Sequence, residues 1–69
     1  MTDVQYATFM AIQRHIEEHG WPPTRAELGK LFKVNPNAIQ CRLKSLERIG
    51  AIEISHGLAR GIKVTDYGA

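Results

Sequence analysis

Residues 24–50 read TRAELGKLFKVNPNAIQCRLKSLERIG, and the fold turns on how this stretch is parsed. It opens on Thr24-Arg25-Ala26-Glu27, a capping box in which a threonine hydroxyl and a glutamate carboxylate each satisfy a backbone N–H at a helix start. Leu28, Leu31 and Phe32 follow at i, i+3 and i+4, which predicts a short helix with one apolar face ending near Lys33. Val34 sits in a tight connection. Asn35 is a good N-cap, and Pro36 falls at the first helical position, where its missing N–H has no bond to lose. Ile39, Leu43, Leu46 and Ile49 form the buried stripe of a second helix, and Gly50 stops it. The opposite face carries Asn37, Gln40, Cys41 and Lys44. Two helices joined by about three residues form a helix-turn-helix. A second helix that is apolar on one side and polar on the other suits the major groove of DNA.

Upstream, Thr2 and Gln5 make another capping box, and Phe9, Ile12 and Ile16 continue as an apolar stripe up to Gly20. Trp21-Pro22-Pro23 ends this helix and holds the connection extended, with Trp21 read as a lid on the core. Downstream the period changes to two. Ala51-Ile52-Glu53-Ile54 and Gly61-Ile62-Lys63-Val64 read as the strands of a β-hairpin around the loop at 55–60. Thr65 to Ala69 reads as a short tail. The expected fold class is therefore α+β, mainly α: a winged helix-turn-helix, three helices followed by a β-hairpin wing, filling residues 1–69 as a single domain.

The 69 residues leave no room for a second core. One cysteine excludes an internal disulfide, and one cysteine with three histidines makes a poor zinc set, so the core is expected to be plain hydrophobic packing. No apolar run approaches the ~20 residues of a membrane span. Met1 is not followed by a signal peptide, and the expected location is cytoplasmic. Charge is uneven. Residues 25–48 hold Arg25, Lys30, Lys33, Arg42, Lys44 and Arg48 against Glu27 and Glu47, a net +4, while the remainder sums to −2. A polyanion-binding face would be distributed this way; so would a solvated helix surface. His15 and His19 are four apart, but His-Ile-Glu-Glu-His puts Ile16 where a metalloprotease helix carries its glutamate, and no third ligand is near. No Gly-rich phosphate loop and no nucleophile–base pair is present in the pattern. No enzyme activity, cofactor, metal or small-molecule substrate is expected.

Thr2-x-x-Gln5-x-x-x-Phe9-x-x-Ile12-x-x-x-Ile16 and Gly20-x-Pro22-Pro23-Thr24-Arg25-Ala26-Glu27 resemble the N-terminal DNA-binding domain of LexA-type SOS repressors. The likeness continues through Pro36-Asn37-Ala38, Leu43-Lys44-x-Leu46, Gly50-x-Ile52-Glu53-Ile54 and Arg60-Gly61-Ile62, and it spans residues 2–64. It implies a winged helix-turn-helix and binding in the DNA major groove. The family's repressors also carry a self-cleaving, dimerising C-terminal domain, and no residue here corresponds to it. The turn before the second helix of the motif is one residue shorter than the family's. Where the family shows Ser-Pro-Asn-Ala-Ala-Glu-Glu-His-Leu, this chain has Asn35-Pro36-Asn37-Ala38-Ile39-Gln40-Cys41-Arg42-Leu43, so Gln40 and Cys41 replace both glutamates.

The resulting expectation is a small transcriptional regulator, stand-alone and of phage or bacterial origin, whose recognition helix covers about residues 36–49. Its partner is double-stranded DNA, with a second copy on DNA or another regulatory protein as further partners, and no membrane. Asn37 and Gln40 are the base-contacting candidates because an amide meets the adenine edge in two places. Cys41 is a small apolar contact for a thymine methyl, or else a packing residue. Thr24, Arg25, Asn35, Lys44, His56 and Arg60 are the backbone-contacting candidates: the first two at a helix N-terminus, the last two framing the wing. The competing expectation is an interaction module of the same fold that docks a polymerase subunit or a full-length repressor.

Overall fold

The computed structural model describes residues 2–55, 57 and 60–65. In chain order it has α1 (Asp3–His19), α2 (Arg25–Phe32), α3 (Pro36–Arg48), β1 (Ile52–Ile54) and β2 (Ile62–Val64). The helix starts follow the capping chemistry read from the sequence. Thr2 and Thr24 each accept from the N–H of the residue three further on, and Gln5 and Glu27 each accept from the cap's own N–H. Asn35 caps α3 with Pro36 behind it. Gly20 and Gly50 take the left-handed backbone at the ends of α1 and α3.

The core is one cluster in which each element contributes a side. Phe9 and Ile12 come from α1, Leu28 from α2, and Ile39, Leu43 and Leu46 from α3; Ala51, Ile52 and Ile62 close it from the hairpin. Ile16, Phe32, Val34 and Ile49 pack around its edge. The hairpin is antiparallel, pairing Ile52 with Val64, Glu53 with Lys63 and Ile54 with Ile62. This register turns Ile52 and Ile62 inward and leaves the opposite charges of Glu53 and Lys63 side by side at the surface.

Between α2 and α3 the chain turns in three residues. Lys33 adopts φ 58°, ψ 43°, and the carbonyl of Gly29 accepts from both Lys33 and Val34. Gly29 is buried, and a Cβ placed on it would lie 2.8 Å from the Val34 carbonyl oxygen. The short connection therefore brings its own backbone down onto α2, which fixes where α3 begins.

Four expectations are corrected. Leu31 is 63% exposed, because α2 has only two turns and turns Leu28 and Phe32 to the core, leaving Leu31 on the flank beside Met10 and Ala11 of α1. Trp21 is 51% exposed and stacks on His19; Pro23 fills the buried position instead. Thr65 is no tail residue: its hydroxyl donates to the carbonyls of Gly50 and Ala51, and its N–H donates to Ala51. The strands are each one residue shorter than expected, since Ala51 and Gly61 lie outside the ladder.

Candidate nucleic-acid interface

The polar face of α3 presents Asn37, Cys41 and Lys44 at the surface with Gln40 half-buried among them. These positions step by three and four residues, so they form one stripe along the helix. The other side of the helix is the core stripe of Ile39, Leu43 and Leu46. Thirteen residues at 1.5 Å each make α3 about 20 Å long, a length that fits along a major groove roughly 12 Å wide. Arg42 leaves the stripe: its guanidinium carbon lies 5.4 Å from the centre of the Phe32 ring, a cation–π contact that fastens α3 to α2.

The start of α2 meets this stripe. Arg25 is exposed, and its Nη1 donates to Gln40 Oε1 at 2.7 Å. Thr24 is engaged as a cap, its hydroxyl accepting from the Glu27 N–H at 3.1 Å. Asn35 likewise caps α3, its Oδ1 accepting from the Asn37 N–H at 2.8 Å. Gln5 of α1 donates to the Ser45 hydroxyl on the flank of α3, in addition to its own capping work. No local spacing signals a bond between residues 40 apart in the chain.

Arg60 lies just before β2, on the loop side of the hairpin, and is already engaged. Its two terminal nitrogens donate to the two carboxylate oxygens of Glu27, at 2.7 and 3.2 Å, and Nη1 also donates to the Pro22 carbonyl at 2.9 Å. The fork-to-carboxylate geometry gives the pair its definition, although both side chains remain about two-fifths exposed. His56, the other wing candidate, lies outside the described residues.

The same contacts set the acidity of Glu27. Donation by Arg60, and then by the Thr24 N–H, holds its carboxyl at about 2, down from 4.5. A carboxyl with a depressed folded-state value stabilises the fold fully above its unfolded value and loses that contribution as pH falls through the folded one. Urea denaturation between about pH 5 and pH 2 should therefore show a steeper loss of stability for the wild type than for Glu27→Gln. Parallel curves would assign the acid sensitivity to other carboxylates.

Elsewhere, His15 and His19 bring their rings to 4.4 Å, and His15 Nδ1 lies 2.8 Å from the Trp21 carbonyl. Among the described residues no three His, Cys, Asp or Glu side chains converge as metal ligands. No helix among them is long and apolar enough to cross a membrane.

Three helices, a three-residue turn between the last two and an antiparallel hairpin behind them define a winged helix-turn-helix. The family model described as the LexA DNA binding domain matches residues 1–61, and the chain belongs to that family. It is 43% identical over 67 residues to the LexA repressor of Halorhodospira halophila, covering 96% of this chain and 30% of that protein. It is 43% identical over 68 residues to the LexA repressor of Pseudomonas aeruginosa, covering 97% and 33%. The LexA repressor of Histophilus somni is 48% identical over 65 residues, covering 93% and 31%. The chain thus spans about a third of the length of the curated relatives it matches.

Proposed function

We propose that this chain binds double-stranded DNA sequence-specifically, laying α3 in the major groove, and regulates transcription in the cytoplasm. The observation that carries the reading is the stripe of Asn37, Gln40, Cys41 and Lys44 on a helix whose other side is wholly committed to the core. That stripe lies in the part of the chain with a net +4. Asn37, Gln40 and Cys41 are the base-reading residues. Arg25 and Lys44 supply cations to the phosphates beside them, with the backbone N–H groups at the capped starts after Thr24 and Asn35 as further donors. The wing's candidates for contact with the neighbouring backbone are Arg60, through the N–H donors that Glu27 and Pro22 leave over, and His56.

A salt-titrated duplex shift assay tests this. A protein touching four to six phosphates loses affinity on a logarithmic plot with a slope of about −4 to −5. Absence of duplex binding at low salt, or a flat salt dependence, would favour docking to another protein instead. A single small module makes few contacts, so strong occupancy requires a second copy on an adjacent half-site.

A further inference from the structure

Gln40 is not free to choose how it presents its amide. The atom that meets Arg25 Nη1 at 2.7 Å is Oε1, and chemistry dictates that assignment, because a guanidinium has donors only and can be met only by the oxygen. The amide NH2 then occupies the other corner of the plane, away from Arg25. A hydrogen bond from a cation at this distance belongs to the stronger kind. It spans the helix-turn-helix, from the first residue of α2 to the second turn of α3.

We propose that Arg25 sets the base preference of α3 by occupying the oxygen of Gln40, so that Gln40 reads guanine rather than adenine. The inference rests on the reading of α3 as the base-contacting helix. A free amide meets adenine with both ends, donating to N7 and accepting from the N6 amino group. Guanine presents two acceptors, N7 and O6. With its oxygen turned toward a cation and one lone pair engaged, Gln40 leads with its two N–H donors, which match the guanine pair. An adenine N6 amino group would have to share that oxygen with Arg25 and approach a cation with a donor, which weakens the adenine pairing relative to guanine. Arg25 thereby acts as a positioning residue for Gln40 as well as a cation near the phosphates.

Site selection from random duplexes with the full chain tests the proposal, using wild type, Gln40→Ala and Arg25→Met. Arg25 is exposed at the first position of α2, so its replacement leaves the core intact. Gln40→Ala should relax choice at one base pair, which identifies the position that Gln40 reads. At that position the wild type should prefer guanine over adenine by about tenfold, and Arg25→Met should erase or invert the preference. The ratio is taken within each variant, so any weakening of phosphate binding caused by removing the Arg25 charge affects both bases equally and cancels. Adenine preferred by the wild type, or an unchanged guanine ratio in Arg25→Met, overturns the role of Arg25. If Gln40→Ala relaxes no position, the reading of α3 itself fails, and the two failures are told apart.

Discussion

Gly29→Ala should destabilise the folded chain by about 1–2 kcal/mol, although helix propensity alone argues the other way. Replacing a mid-helix glycine by alanine gains about 0.5–1 kcal/mol where the backbone permits it. Here the new methyl would sit 2.8 Å from the Val34 carbonyl oxygen and 3.6 Å from the Pro36 nitrogen. Both neighbours are backbone, so the clash cannot be relieved by a side-chain rotation. Forcing a methyl into packed surroundings costs about 1–3 kcal/mol, which outweighs the propensity gain. A domain of this size has about 3–10 kcal/mol in total, and each kcal/mol moves its melting temperature by about 4–8 °C. Calorimetry should record a fall of about 5–15 °C. Because the strain falls on the turn that positions α3, specific DNA affinity should drop further than stability at temperatures where the variant is still folded. An unchanged or raised melting temperature would mean that the turn yields readily and does not fix α3.

Replacing Asn37 and Gln40 together by alanine should weaken binding to the best selected site by about 2–6 kcal/mol, the combined share of two base-reading side chains. Affinity for random duplex should hardly change. Neither side chain belongs to the core, and Asn37 serves the α3 cap through its backbone N–H, which alanine keeps. Both duplexes should be titrated with one preparation at one salt concentration. A double variant that binds the selected site like wild type would remove α3 as the reading head.

Much of this fold was legible because each helix start is written in local chemistry. Thr2 with Gln5, Thr24 with Glu27, and Asn35 with Pro36 each act within three residues, and each appears as read. The period-two strands were equally plain, since Ile52 and Ile62 must turn inward together. What escaped was set by tertiary geometry. Leu31 continues the apolar spacing of α2 but falls on the flank of a helix too short to bury three such residues. Thr8 is a polar residue in the buried row of α1, tolerated because its hydroxyl donates to the Val4 carbonyl within the same helix. Of the interface, the α3 stripe follows from spacing alone. The Arg25–Gln40 and Arg60–Glu27 bonds join residues 15 and 33 apart, which no local pattern announces. Glu27 looked complete as half of a capping box, yet it is also the anchor of the wing.

That double use of Glu27 changes when the wing loses its freedom. Strands of three residues make a hairpin that is marginal on its own. Here its loop end is clasped to the start of α2 by Arg60, and its other end is tied beside the end of α3 by Thr65. The disorder of the wing relative to the helices is therefore surrendered during folding, where the burial of Ile52 and Ile62 offsets it. A partner that meets the hairpin finds it already in position, and little of the association free energy is consumed in ordering it.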